Sequence, residues 1–368
     1  MLIKNGKVFV GHQFVDADIQ FDKTITAVGS LQGEADFDAA GMYVIPGLVD
    51  VHTHGNSGED FSDGKIEGIQ PMADFYAKHG VTSYVATTMT LREEVLTPAM
   101  HALRDYKRQG GAKCAGVHLE GPFVSAAKCG AQDPANLSAP DCDLFDRLNE
   151  ASGNQVRLVT FACEGEGAME FISHVSKVAT VSLGHTACTY DQAMEAFAHG
   201  ASHATHLFNG MEPLHHRKPG IVAAAADAGA SVELICDGLH IHPAVIRLVH
   251  KLYGDKLNLI SDSLRCAGMP DGDYTLGGQP ITMKNGLATL KGSTTLAGSS
   301  ITMLDALRNV VKFGLDLPSA VYAASTAPAE ALGLDDIGSI KTGKCADFAI
   351  LDKDLNLVAV YVDGHREV

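Results

Sequence analysis

The feature that most constrains this chain is an alternation through its middle. Short apolar runs take turns with longer helical stretches. Candidate strands are residues 47–54, 82–88, 115–120, 155–160, 180–184, 203–206, 232–236 and 257–261. Between them, residues 69–78, 91–109, 167–178, 190–199 and 243–253 have helical character. Repeated strand–helix units predict a parallel sheet. About eight of them predict closure into a (β/α)8 TIM-type barrel, with a doubly wound open sheet as the alternative.

The two ends read differently. Residues 7–10, 18–21 and 25–28 are β-prone and punctuated by turn residues such as Asn5-Gly6 and Gly11; residues 347–351 and 357–362 are β-rich and lead into Asp363-Gly364. The expected organisation is a small β-sandwich domain from both termini, residues 1–46 plus 335–368, around a barrel over residues 47–334. Residues 274–291 read as a β-hairpin insertion with its turn at Asn285-Gly286.

The length of 368 residues accommodates a barrel and an accessory domain, and 46% hydrophobic with 20% charged residues is ordinary globular composition. A net charge of −16 without a Lys/Arg run argues against nucleic acid and anionic membranes as partners, while leaving room for a locally basic pocket. No stretch reaches the roughly 20 apolar residues of a membrane span. The opening MLIKNGKVFVGHQF has no long apolar core of a secretory signal. The eight cysteines are scattered without a C-x-x-C pair, which predicts reduced thiols and a cytoplasmic location.

Polar residues recur where the strands end. The first strand ends in His52-Thr53-His54, the third at Glu120, the fifth at Gly184-His185-Thr186, the sixth at His206 and the eighth at Ser261-Asp262-Ser263. In a barrel these C-terminal ends converge on the face that carries active sites. Residues i and i+2 of a strand share a side, so His52 and His54 can both face the mouth. Glu120, His185 and His206 would supply one carboxylate and two imidazoles, a donor set that suits zinc and related transition metals and leaves a coordination position open. For any single histidine among the 17 here, a hydrogen-bonded core or rim residue is the commoner reading. Recurrence at five strand ends, with largely apolar strand bodies, favours a catalytic metal site.

These residues carry a resemblance. PGLVDVHTHG is similar to the entry motif of the amidohydrolase superfamily. HLEGPF, LGHT, THLFNGM, DGLHIHP, SDS and TLAGSS, in that order, resemble its N-acetylglucosamine-6-phosphate deacetylase branch. The resemblance covers nearly the whole chain. It implies a divalent metal, with zinc first and iron, manganese or cobalt as alternatives, held by Glu120, His185 and His206. A second ion is implied at His52 and His54. Asp262 resembles the catalytic carboxylate that takes a proton from the attacking water and delivers it to the leaving amine. His240 resembles the residue that contacts substrate and helps polarise the carbonyl.

By the same resemblance, Ala131, Gln132 and Leu296 line the sugar pocket, and Asn209-Gly210 contacts the sugar phosphate. Arg217 matches an arginine that reaches the phosphate from a neighbouring subunit, which implies a homodimer. Gln132 stands where some relatives have histidine, leaving the sugar epimer open. The implied activity is hydrolysis of N-acetyl-D-glucosamine 6-phosphate to glucosamine 6-phosphate and acetate in amino-sugar catabolism. The alternatives are the galactosamine epimer and, more remotely, a cyclic amidase or deaminase. The third strand offers Glu120 where those enzymes commonly use a carbamylated lysine, and Lys113 lies too early to serve. A non-catalytic sugar-phosphate binder is the reading from another class. Retention of Asp262 and the ligand set argues against it.

Overall fold

The computed structural model describes residues 1–368. Its centre is an eight-stranded parallel sheet made of Leu48–Thr53, Val81–Thr88, Lys113–Glu120, Val156–Phe161, Thr180–Leu183, His203–Ala204, Ser231–Ile235 and Leu257–Ile260. Each strand pairs with the next in the chain. A doubly wound sheet would reverse its strand order at a switch point; this one does not. The ends also meet, since the Asp262 N–H donates to the His52 carbonyl at 2.9 Å and Ser261 N–H to the Asp50 carboxylate at 3.3 Å. The expected TIM-type barrel is therefore the fold. Strands Leu48–Thr53 and Val81–Thr88 are buried at every position, because helices cover one face and the barrel interior the other.

The helices anticipated from periodicity form as Ile66–Lys78, Glu93–Asp105, Ala168–Val175, Tyr190–Ala198 and Pro243–Tyr253. His242 caps the last of these, its side chain accepting from the Ala244 N–H. Further helices escape the pattern. Cys142–Ala151 is only three turns long and starts on the Asp141 cap; Gly220–Asp227 is alanine-rich and lacks a polar face. Met303–Lys312, Leu317–Ala324 and Thr326–Ala331 follow the last barrel strand.

Both termini contribute to a second, separate sheet. Strands Leu2–Val10, Gln13–Phe21, Ile25–Gly29 and Tyr43–Pro46 join Phe348–Leu351, Leu357–Val362 and His365–Arg366, with Phe348–Leu351 antiparallel to Tyr43–Pro46. Its core gathers Ile19, Phe348 and Ile350 around Phe21, whose ring stands edge-on to Phe348 and Tyr361. Lys113, at the start of the third barrel strand, bridges Asp347 at 2.7 Å and Asp363 at 2.8 Å, tying the barrel to this sheet.

The hairpin expectation needs correction. The insertion is a three-stranded antiparallel meander, Gly272–Leu276, Gln279–Lys284 and Leu287–Leu290. Its first turn is Gly277-Gly278, both at positive φ, which escapes a search for Asn-Gly alone; the second is the anticipated Asn285-Gly286. The first turn lies beside Met89, so the meander reaches the barrel mouth.

Candidate active site

The barrel mouth holds a cavity of about 180 Å3. His54, Glu120, Ala131, Gln132, His185, His206, Asn209, Gly210, His240, Asp262 and Leu296 all line it. They come from the ends of six barrel strands and the loops that follow them, and closure of the barrel brings them together. His52 lies beneath them, fully buried. Sequence reasoning missed the apolar wall made by Met89, Ile235, Leu264 and Leu276.

Three of these side chains leave their strands in unusual backbone conformations. His185, His206 and Asp262 have φ of 45°, 27° and 48°. Such left-handed backbone is uncommon outside glycine and is a recurrent mark of functional sites. At strands five, six and eight, the chain turns sharply just where a polar side chain must point inward.

The donor atoms converge closely. Glu120 Oε1 is 3.1 Å from His185 Nε2 and 3.0 Å from His206 Nε2, and the two imidazole nitrogens are 3.0 Å apart. His185 Nδ1–H donates to the Lys128 carbonyl at 2.9 Å, so the neutral ring presents its Nε2 lone pair to this cluster. Next to it, His54 Nε2 is 3.3 Å from both Glu120 Oε2 and Asp262 Oδ1. His52 Nε2 is buried without a hydrogen-bond partner, 3.5 Å from Glu120 Oε1 and 3.6 Å from Asp262 Oδ1. Lone pairs and carboxylate oxygens aimed at one another across a buried space fit a cation between them. Glu120 with His185 and His206, and Glu120 with His52 and His54, are the two sets at the mouth whose donor atoms lie close enough.

Electrostatics follow from that crowding. Burial pulls His52 down, but Glu233, Glu120 and Asp262 together push it up to about 9. Burial likewise opposes protonation of His54, yet hydrogen bonds to Asp262 and Glu120 raise it to about 10. Against the burial that would raise them, the surrounding imidazoles hold Glu120 well below the carboxylate range and lower Asp262. The site draws positive charge.

Under the mouth, the barrel interior carries a polar belt. His118 Nε2 is 2.7 Å from Thr160 Oγ1, which meets Thr205 Oγ1 at 2.6 Å; Thr205 meets Ser182 at 2.5 Å, and Ser182 meets His203 Nδ1 at 3.0 Å. Burial keeps His118 and His203 below the ordinary histidine value. His240 also lines the cavity and is half-buried. Its Nδ1 is 2.6 Å from Asp237 Oδ2, while Asp237 Oδ1 accepts from the backbone N–H groups of Leu239 and His240. Burial lowers His240, but the Asp237 hydrogen bond and charge outweigh it and raise the ring. Asp237 was legible only as the residue three places before His240.

Two placements refine the sequence reading. Gln132 is buried; its Nε2–H donates to Glu120 Oε2 at 2.7 Å, and its Oε1 accepts from the Thr90 N–H at 2.9 Å. Both halves of its amide are engaged inside the protein. Arg217 is not brought into the cavity. It is exposed, 2.7 Å from His216 Nε2, and lines a separate cleft of about 830 Å3 with Glu212, His215 and Lys218.

Fold and site together define a barrel hydrolase that works with a divalent cation. The chain belongs to the amidohydrolase family, whose model matches residues 43–366. It is 35% identical over 360 residues to the N-acetylglucosamine-6-phosphate deacetylase of Vibrio furnissii, covering 95% of this chain and 90% of that one. It is 36% identical over 325 residues to the N-acetylgalactosamine-6-phosphate deacetylase of Escherichia coli O157:H7, covering 87% and 86%. A solved structure of the Mycobacterium smegmatis N-acetyl-D-glucosamine-6-phosphate deacetylase, in complex with N-acetyl-D-glucosamine 6-phosphate, superposes with a TM-score of 0.95 at 34% identity, covering 100% of this chain and 99% of that one.

Proposed function

We propose that this chain hydrolyses the acetamide of N-acetyl-D-glucosamine 6-phosphate, giving D-glucosamine 6-phosphate and acetate. One observation carries the reading: Glu120 Oε1, His185 Nε2 and His206 Nε2 lie within 3.1 Å of one another, beside the Asp262 carboxylate, at the mouth of a barrel. Relatives that match it over nearly their whole length bear the names of deacetylases of this substrate class.

Glu120, His185 and His206 would hold the principal ion, and His52 and His54 a second one that shares Glu120. Zinc suits imidazole and carboxylate donors best, with iron, manganese and cobalt as alternatives. When bound, the cation supplies Lewis acidity that lowers the pKa of a water and polarises the acetamide carbonyl. Asp262 accepts a proton from that water as its oxygen adds to the carbonyl carbon. It returns the proton to the nitrogen as the C–N bond breaks, so a neutral amine and acetic acid leave, and the acid gives its remaining proton to solvent to become acetate. Asp237 holds His240 by Nδ1, which leaves Nε2 free to donate to the carbonyl oxygen as negative charge builds there.

Ala131, Gln132 and Leu296 would border the sugar, Gln132 chiefly by orienting Glu120. Asn209 and Gly210 would meet the phosphate together with Arg217 from a second copy, because Arg217 is turned away from its own cavity. A guanidinium fork matches a phosphate dianion. This arrangement makes the enzyme a homodimer, and its place is amino-sugar catabolism in the cytoplasm.

The galactosamine epimer is the second reading. It is favoured by the 36% identity to the Escherichia coli galactosamine-type relative and by a Gln132 amide already engaged with Glu120 and Thr90. The test is acetate release from both epimers, with and without the phosphate, on protein of measured metal content. The proposal expects preference for the phosphorylated gluco epimer. Turnover of the galacto epimer alone would replace it with the second reading.

A further inference from the structure

Glu233 is the one charged residue of the strand Ser231–Ile235, and it is fully buried. A carboxylate taken so far from water needs partners of equal weight. It has two, and both belong to the candidate metal site. His52 Nδ1–H donates to Glu233 Oε2 at 2.8 Å, and the His206 backbone N–H donates to the same oxygen at 3.1 Å. The Glu233 carbonyl takes the next amide, Leu207, at 2.9 Å.

The second set of contacts has a structural cause. The sixth barrel strand pairs with the seventh only through His203 and Ala204. Beyond them the chain turns, with His206 at a φ of 27°, and its N–H has lost any place in the sheet. Glu233 supplies the missing acceptor from the neighbouring strand. The first contact has a chemical consequence. A carboxylate oxygen only accepts, so His52 Nδ1 must carry the proton. In the neutral ring that leaves the lone pair on Nε2, the buried atom with no hydrogen-bond partner that faces Glu120 and Asp262. Carboxylate support of this kind fixes the tautomer and orientation of a ligating histidine and raises its basicity.

We infer that Glu233 is a positioning residue that determines whether a second divalent ion occupies the His52–His54 position, by locking His52 with Nε2 toward that position while anchoring His206 of the neighbouring one. The inference rests on the two-ion reading proposed above. Glu233 Oε1 is buried without a hydrogen-bond partner; its neighbour His203 Nδ1, at 3.8 Å, is already engaged with Ser182 and Asn258, and His118, which groups with His52 and Glu233, is held by Thr87 and Thr160. His52 is therefore the group that Glu233 acts on most strongly.

The experiment is a zinc titration of metal-stripped protein in buffers of defined free zinc, reading zinc bound per chain, with Glu233→Gln, Glu233→Leu and His52→Ala beside the parent. Glu233→Gln keeps an acceptor oxygen for the His206 N–H and removes the charge behind His52. The expected result is two binding steps in the parent. In Glu233→Gln the weaker step should move to about 10–100-fold higher free zinc while the tighter step stays within threefold. His52→Ala should lose the weaker step, and adding Glu233→Gln to it should change nothing further. Glu233→Leu, which also frees the His206 amide, should weaken both steps. A parent with two steps and a Glu233→Gln variant with the same two steps would overturn the inference alone. Equal weakening of both steps in Glu233→Gln, or a further loss on top of His52→Ala, would make the role merely structural and overturn it as well. A parent that takes a single ion would overturn the two-ion reading and this inference with it.

Discussion

Asp262 and His240 both line the cavity, and each owes its charge state to a neighbour that the fold places beside it. Asp262 is lowered, against burial, by His52 and His54, so it is ionised at neutral pH and able to accept a proton. Asp262→Asn keeps the shape and removes the proton acceptor. Acetate release should fall by about 10²–10⁴-fold, the range of general acid–base catalysis, with unfolding unchanged. Wild-type turnover in that variant would remove Asp262 from the mechanism. His240 is raised in the folded protein, with Asp237 overcoming burial. A raised value keeps the ring cationic to higher pH, and the cation is the form that donates from Nε2 while Nδ1–H stays on Asp237. Activity should therefore fail on the alkaline side as His240 loses its proton. Asp237→Asn weakens the counter-charge and should move that limb of the kcat/KM profile to lower pH. An unmoved limb assigns it to another group. Glu120, His185, His206 and Asp262 were all legible at this scale, because a polar residue closing an apolar run is visible in a string. Glu233 and Asp237 were visible too, as charges out of place, but nothing local says which partner each would meet.

Elements carry the site into position. The loop after the eighth strand returns beside Asp262: Ser299 N–H donates to the Asp262 carbonyl at 2.7 Å and Leu264 N–H to the Ser299 carbonyl at 3.0 Å. Gly298, at a φ of +43°, permits this approach; a Cβ there would lie 2.6 Å from Leu264 Cδ2 and 2.8 Å from the Asp262 carbonyl. Gly298→Ala should cost about 1–3 kcal/mol from strained backbone alone. It should also lower kcat, measured by denaturant unfolding and steady-state kinetics together. The helix that follows, Met303–Lys312, begins with a reciprocal cap between Thr302 and Asp305. Thr302→Ala should destabilise the protein by about 1 kcal/mol in the same unfolding assay and leave KM unchanged, since Thr302 does not line the cavity. Strand positions were read within a few residues because burial on both faces produces continuous apolar runs. The helices Cys142–Ala151 and Gly220–Asp227 were not. One is too short to show a period, and the other is small and apolar all round, so packing rather than pattern makes them helical.

At the scale of the whole molecule, Arg217 is the residue out of place. It lies on the exposed loop after the sixth strand, lining its own cleft rather than the cavity. If it binds phosphate across a dimer, Arg217→Ala should raise KM for the phosphorylated sugar by about 10-fold or more. That corresponds to a charged hydrogen bond of about 1.5–3 kcal/mol. KM for the unphosphorylated sugar should hold. Equal changes for both would remove Arg217 from the phosphate site. No helix is long and apolar enough to cross a membrane. The terminal sheet contributes nothing to the cavity lining and is joined to the barrel through Lys113, Asp347 and Asp363.

The alternation of apolar runs and helical stretches was by itself enough to determine a parallel strand–helix architecture of about eight units, and polar strand ends were enough to mark the candidate face. Both are short-range patterns, set by which side of a strand or helix meets water. That the sheet closes rather than reverses its order was decided by the tertiary structure. Tertiary structure alone decided the rest. It made one carboxylate, Glu233, serve His52 and His206 from strands far apart in the chain; it turned the Gln132 amide onto Glu120; and it left Arg217 outside. Those outcomes depend on where closure of the barrel puts atoms to within a few tenths of an ångström, and hydrophobic periodicity carries no information at that distance.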